Sequence, residues 1–141
     1  MNLRITIAET PSDSDREAVL APLRAYNVSR ASDPRIKPVA ILLTDEEGKQ
    51  VRGLWGKASY GWLFVELLAV PEQYRGGNFG TLLMNEAEKI ARAHGCIGTW
   101  LDTYEFQARG FYERLGFEMF GALDGDTAHP SRFFMRKKLT P

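Results

Sequence analysis

The chain has 141 residues, of which 44% are hydrophobic and 26% are charged, a composition typical of soluble globular proteins. Its 18 basic and 18 acidic residues cancel, which argues against a protein that binds nucleic acid through its overall charge. A chain of this length predicts a single domain over residues 1–141. No stretch is apolar enough for a signal peptide or a membrane-spanning helix, and the one cysteine, Cys96, suits a reducing compartment, so we predict a cytoplasmic protein.

The first predicted elements are a strand and a helix. Residues 3–9, LRITIAE, alternate apolar and polar side chains, which is the period of a half-buried strand. Ser12 or Ser14 is the predicted N-cap of a helix over residues 15–29, because a serine hydroxyl accepts a hydrogen bond from a free N–H group of the first turn.

Three strands are predicted next. Residues 39–58 predict a hairpin that turns at Glu46–Gly48. Residues 62–70, WLFVELLAV, are almost continuously apolar, so we expect a central strand that is covered on both faces.

The second half of the chain predicts two helices and three strands. The spacing is helical from Asn78 to His94, and a strand follows over residues 96–103. A short helix over residues 106–116 precedes two final strands, over residues 117–124 and 131–139. The order β-α-β-β-β-α-β-α-β-β predicts an α/β or α+β domain, in which helices flank a mixed sheet.

The segment between the central strand and the long helix, AVPEQYRGGNFGTLLM, contains three glycines and an arginine. The first N–H groups of a helix have no partner inside it, and Gly76, Gly77 and Gly80 leave them open to an anion. Arg75 adds a charge that suits phosphate oxygens. No lysine precedes Thr81 as in a P-loop, and the dinucleotide fingerprint GxGxxG is absent. The segment therefore predicts either an anion site or simply a tight strand-to-helix turn.

Two segments together resemble the GNAT acetyltransferases. VPEQYRGGNFGTLLM is similar to the family's motif Q/R-x-x-G-x-G/A, with Arg75 in the first position and Gly80 in the last. Asn78 stands where the family usually has its first glycine. Because asparagine tolerates left-handed backbone geometry better than most residues, we expect altered detail rather than lost binding.

The second segment, QARGFYERLGF, is similar to the family's A-x-x-x-Y-x-x-x-G-F sequence, with Tyr112 as its tyrosine. Glu105 occupies a place where many members carry asparagine. The resemblance extends from about Gly53 to Leu139, and it implies a GNAT-like fold, mostly antiparallel, in which acetyl-CoA lies between splayed central strands, here WLFVELLAV and GTWLDT.

The resemblance also assigns roles to residues in binding acetyl-CoA as co-substrate. No metal is expected, because His94, His129 and Cys96 have no further ligands clustered near them in the sequence. The acetyl and pantetheine groups would contact the backbone of Leu68, Ala69 and Val70. The pyrophosphate would be held by Arg75, Gly76, Gly77, Asn78, Phe79, Gly80 and Thr81.

Catalysis is expected to follow from direct attack by an amine on the thioester. Only about one part in a thousand of an alkyl amine is unprotonated at neutral pH, so a base is useful. Glu66 is the candidate base, or else an outward or salt-bridged glutamate. Asp102 is an alternative base or a contact for the substrate ammonium, or a solvated aspartate at a strand end. Tyr112 would donate a proton or a hydrogen bond to the departing sulfur, or else serve only in packing. Trp55 would frame the acceptor, or pack in the core.

Three classes of function remain open from the sequence. The favoured class is an N-acetyltransferase that modifies a primary amine, expected on a small molecule, although a peptide or protein acceptor is an alternative. The others are a non-catalytic acyl-CoA binder or sensor, and a structural or interaction domain whose glycine turn binds nothing. The resemblance allows pairing as a homodimer, and no membrane or nucleic-acid partner is expected.

Overall fold

The computed structural model describes residues 3–141. The chain forms two compact units that divide between Asp33 and Pro34. Within the described residues, no helix is both long enough and apolar enough to cross a membrane.

The first unit contains helix α1, Asp13–Arg30. Ser12 is its N-cap, as one of the two alternatives predicted. The Ser12 hydroxyl accepts from the Asp15 N–H at 3.1 Å, and the Asp15 carboxylate accepts from the Ser12 N–H at 2.9 Å. This reciprocal pair is a capping box, which satisfies two otherwise free donors.

The strand predicted over residues 3–9 is wrong. These residues have no regular secondary structure, and the side chains of Leu3, Ile5 and Ile7 are 88%, 98% and 83% exposed. Alternation makes a segment suitable for a strand, but a strand also requires a neighbour with which to exchange hydrogen bonds. The six strands of the described sheet all lie between Lys37 and Lys138.

The second unit contains the whole sheet. Its elements are β1 (Lys37–Thr44), β2 (Gln50–Ser59), β3 (Trp62–Ala69), a 3-10 turn (Glu72–Tyr74), α2 (Phe79–Ala93), β4 (Gly98–Tyr104), α3 (Arg109–Arg114), β5 (Glu118–Leu123) and β6 (Arg132–Lys138). The strand order is β1-β2-β3-β4-β6-β5. All neighbours are antiparallel except β3 and β4, so the mixed, mostly antiparallel α+β sheet is confirmed.

The core lies between one face of the sheet and α2. This helix buries Leu83, Met84, Ala87 and Ala91, at the spacing of a single helical face. The expectation that β3 is covered on both faces is wrong, because its burial alternates. The side chains of Leu63 and Val65 are buried, whereas those of Glu66 and Leu67 are exposed. An apolar run alone does not distinguish these two cases.

The two central strands separate halfway along their length. Pairing between β3 and β4 ends at Val65 and Leu101, although both strands continue beyond these residues. At the same level, Gly56 of β2 pairs with Val65 while Trp55 pairs with Leu67, which leaves Glu66 as the extra residue of a β-bulge. A bulge bends its strand and increases the twist. The result is a V-shaped cleft between the C-terminal halves of β3 and β4.

Candidate active site

A cleft of about 1150 Å³ occupies the space between the separated strands. Its walls are formed by the end of β3, the segment that leads into α2, the first turn of α2, the second half of β4, and α3. The lining residues include most of the predicted site: Glu66, Leu68, Ala69, Val70, Arg75, Gly76, Asn78, Phe79, Gly80, Thr81, Asp102 and Tyr112. The fold thus brings the two motifs into one cavity.

The glycine turn at the start of α2 leaves backbone donors and a positive charge without partners in the described part of the chain. Asn78 is the N-cap, with a left-handed φ of 63°, and its side chain makes no capping hydrogen bond. Gly76 has a φ of 91°, which few other residues adopt easily. The first N–H groups of α2 have no partner within the helix. Arg75 forms no ion pair with any other residue between 3 and 141, so its charge remains available.

Tyr112 is half-buried on α3 and lines the cleft. Burial raises the pKa of its hydroxyl, and the nearby charge of Asp102 raises this pKa further. The hydroxyl therefore stays protonated over the neutral range. The ring also packs edge-on against Phe111 and Phe117, at centroid distances of 5.1 and 6.0 Å. A packing role and a proton-donating role are thus compatible for this residue.

The two candidate carboxylates differ in their surroundings. Glu66 is exposed at the bulge of β3, and it forms no ion pair with any of residues 3–141. Asp102 is 17% exposed and accepts a hydrogen bond from Nε of Arg132 at 2.9 Å. The same hydrogen bond raises the pKa of Arg132. The interpretation of Asp102 as a solvated strand-end aspartate is therefore wrong, and of the two carboxylates Glu66 is the less engaged.

Two of the predicted contacts lie outside the cleft. Trp55 does not line it, and Gly77 is also absent from its wall. Trp55 is 48% exposed on β2, so it is not a core residue either. A Cβ on Gly77 would stand 3.0 Å from the ring of Phe79, so this glycine allows the chain to pass the ring.

Comparison with known proteins defines the family. The Acetyltransferase (GNAT) family pattern matches residues 8–117. The chain is 31% identical over 136 residues to Acetyltransferase Atu2258 of Agrobacterium fabrum, covering 96% of this chain and 99% of that protein.

The chain belongs to the GNAT acetyltransferase family.

Two further similarities agree with this assignment. The chain is 34% identical over 125 residues to Blasticidin-S acetyltransferase of Streptomyces morookaense, covering 83% of this chain and 88% of the other. A crystal structure from Agrobacterium tumefaciens matches with a TM-score of 0.91 and 31% identity, covering 97% of this chain and 100% of that one. This GNAT protein is therefore an acyl-CoA-dependent acetyltransferase.

Several residues of this GNAT cleft were not found from the sequence. Arg52 and Arg114 line the cleft, as do Phe106 and Phe111. Arg114 lies inside the second motif segment, so its position was a usable signal. Arg52 lies on a strand distant in sequence and gave none.

The turn after β4 explains the departure of Glu105 from the usual GNAT asparagine. Its carboxylate accepts from the Ser131 N–H at 3.1 Å, and its own N–H donates to the Ser131 carbonyl at 3.0 Å. Glu105 thus joins the end of β4 to the start of β6. Gln107 closes the same turn, because its side-chain oxygen accepts from the Tyr104 N–H at 2.7 Å.

Proposed function

We propose that this enzyme transfers an acetyl group from acetyl-CoA to a primary amine of a small molecule by direct attack. The observation that carries the proposal is the cleft itself. The cleft lies between the separated ends of β3 and β4. Its wall includes Arg75 and the start of α2, which suit an anion, and the protonated hydroxyl of Tyr112 on α3.

The residues present fit coenzyme A. The free N–H groups of the first turn of α2, together with Arg75, provide donors and a positive charge for a diphosphate. Beyond Val65, the edge of β3 that faces β4 has lost its strand partner. Its backbone groups are therefore free to bind the amide-rich pantetheine arm. By the family pattern, these groups belong to Leu68, Ala69 and Val70.

When bound, acetyl-CoA supplies the thioester that the amine attacks. The Leu68 N–H would stabilise the carbonyl oxygen as it becomes negative, the role that the family resemblance implies for it, and such stabilisation is commonly a large part of catalysis. Glu66 accepts the proton of the incoming ammonium group, directly or through water. Tyr112 would donate a proton or a hydrogen bond to the sulfur as the carbon–sulfur bond breaks. The second proton that the attacking nitrogen loses would leave through water, and it would restore the Tyr112 hydroxyl where that group has given up its own proton.

A small-molecule acceptor is favoured over a peptide because the relative that is 34% identical is named for blasticidin S. Glu66 and Asp102 line the cleft as well, and their acidic side chains suit a cationic acceptor. A cytoplasmic location and a homodimeric assembly complete the proposal, and the free thiol of Cys96 is compatible with that location.

The test is the release of free coenzyme A thiol when the purified chain is mixed with acetyl-CoA and a panel of acceptors. The panel contains small amines, blasticidin S among them, and peptides with free N-termini or lysines. We expect release that depends on a small amine and that falls in Tyr112→Phe. Tight binding of acetyl-CoA with no acceptor-dependent release would instead identify a non-catalytic acyl-CoA binder. Release of coenzyme A thiol with peptides alone would show that the acceptor is a peptide or protein amine rather than a small molecule.

A further inference from the structure

Three arginines line the cleft together with several acidic side chains. Arg52, Arg75 and Arg114 are its basic lining residues. Arg75 is part of the glycine turn, and Arg52 precedes Gly53, which pairs with Ala69 at the end of β3. Glu72 is the acidic lining residue nearest to them in sequence. One diphosphate does not require three arginines.

Arg114 approaches the glycine turn through the packing of α3. A Cβ on Gly80 would stand 3.1 Å from Cζ of Phe111, so this ring lies against the first turn of α2. Residues three apart share one face of a helix. Arg114 therefore follows Phe111 on the side of α3 that faces the start of α2, and both residues line the cleft.

The guanidinium of Arg114 has no protein partner among residues 3–141, in contrast to its neighbours. It forms no ion pair and no hydrogen bond there. Arg109, on the same short helix, is bound to Glu113 at 3.0 Å and lies 4.9 Å from the centre of the Phe133 ring. Arg52 donates to the Val51 carbonyl at 2.7 Å. Of the two cleft arginines outside the glycine turn, Arg114 is thus the one whose guanidinium N–H groups make no hydrogen bond within residues 3–141.

We propose that Arg114 binds the 3′-phosphate of coenzyme A. This phosphate is a monoester separate from the diphosphate, and a phosphate monoester carries a charge of about −1.5 to −2 at neutral pH. A guanidinium binds such a group through two parallel hydrogen bonds. The proposal rests on the use of an acyl-CoA donor. It implies that the enzyme binds acyl donors that carry the pantetheine arm without this phosphate, such as acylated carrier proteins, more weakly than acyl-CoA.

The experiment measures the dissociation constants of coenzyme A and 3′-dephospho-coenzyme A by calorimetry. We expect the unmodified protein to bind coenzyme A at least about tenfold more tightly, the factor that one charge-assisted contact typically supplies. Arg114→Ala should bring the two constants to within about twofold by weakening coenzyme A alone, and Arg114→Lys should restore part of the difference. Arg75→Ala should weaken both ligands by the same factor.

The matched control is Arg109→Ala, which removes a paired guanidinium from the same helix and should change neither constant. Equal affinity of the unmodified protein for the two ligands would overturn the proposal, as would equal weakening of both by Arg114→Ala. Loss of the preference in Arg52→Ala rather than in Arg114→Ala would overturn it as well. If neither ligand bound to folded protein, the proposal would fall together with the acyl-CoA donor on which it rests.

Discussion

Gly80 on α2 lies directly against the ring of Phe111 on α3. A Cβ at position 80 would be 3.1 Å from Cζ of that ring, closer than ordinary van der Waals contact. The glycine therefore allows α3 to approach the start of α2, in addition to leaving the first turn open to a ligand. Because Tyr112 and Arg114 follow Phe111 on the same helix, this contact sets the position of both.

We expect Gly80→Ala to displace α3 and to weaken coenzyme A binding. The added methyl forces the Phe111 ring to move, and overpacking of this kind typically costs about 1–3 kcal/mol. The higher helix propensity of alanine offsets part of that cost. Calorimetry with coenzyme A, with thermal unfolding alongside, measures the effect. The double variant Gly80→Ala with Phe111→Leu should recover affinity, and failure to recover it would show that the methyl blocks the ligand rather than the ring.

Tyr112→Phe should slow turnover by about 10²–10⁴-fold, the typical contribution of a general acid, with little change in KM or in thermal stability. The matched control is Tyr104→Phe, since Tyr104 is stacked on Phe106 and lies outside the cleft wall. Steady-state kinetics of both variants decide the matter. Unchanged turnover in Tyr112→Phe would leave this tyrosine with a packing role only.

The raised pKa of Tyr112 predicts a second, alkaline signature. A group whose pKa is higher in the folded state binds its proton more tightly there, so folding stability falls as pH rises above the unfolded value of about 10. Urea unfolding of the unmodified protein should therefore lose stability across this range. Tyr112→Phe should lose less over the same range. Parallel curves for the two proteins would contradict the assignment of the shift to this hydroxyl.

Glu66→Gln should lower kcat/KM by about 10²-fold or more and leave coenzyme A affinity unchanged, because the amide keeps the shape of the side chain but accepts no proton. Glu72→Gln is the matched control, since Glu72 lines the same cleft next to the glycine turn. Kinetics with the best amine acceptor and calorimetry with coenzyme A separate the two effects. A loss in Asp102→Asn without a loss in Glu66→Gln would move the base to Asp102.

Local signals in the sequence were enough for most of the elements. The turn near Gly48 depends on a few neighbouring residues, so its pattern predicts it directly, and the local pattern also narrows the cap of α1 to Ser12 or Ser14. The left-handed position of Asn78 was suggested only through the family motif, in which asparagine takes the place of a glycine. The extended family motifs also placed Arg75 and Tyr112, which the fold then brings to one cleft.

The remaining features depend on contacts between distant residues. The pairing of Asp102 with Arg132 joins positions 30 residues apart, and no spacing rule in the sequence reveals it. Residues 3–9 carry a strand period, but a period does not specify a neighbour. The bulge at Glu66 arises only from the register of β2 against β3. The separation of β3 from β4 could therefore be predicted from the family resemblance but not from the periodicity of the sequence.

The left-handed conformation of Asn78 predicts how substitutions at the N-cap of α2 behave. Its side chain makes no capping hydrogen bond, so removing the amide should cost nothing by itself. Asn78→Ala should lower the free energy of unfolding by about 1 kcal/mol, because a Cβ without a polar group is disfavoured at this φ. Asn78→Gly should be close to neutral and should keep coenzyme A affinity. Urea unfolding of Asn78→Ala and Asn78→Gly measures the cost of a Cβ at this left-handed φ. Equal stability of the two variants would show that there is no such cost.

Gly56 predicts how closely β2 and β3 must approach at the bulge. A Cβ at this position would stand 2.3 Å from the Phe64 carbonyl oxygen. This oxygen belongs to the backbone of a paired strand, so it cannot move away as the end of a flexible side chain can. Gly56→Ala should therefore lower the free energy of unfolding by about 2 kcal/mol or more. It should also disturb the pairing of β2 with β3 that leaves Glu66 as the bulged residue. Gly121→Ala is the control, since a Cβ there meets nothing within 4 Å. Urea unfolding should show a large loss for the first variant and at most about 0.5 kcal/mol for the second. If the two variants were equally stable, the close approach would not be what fixes the bulge.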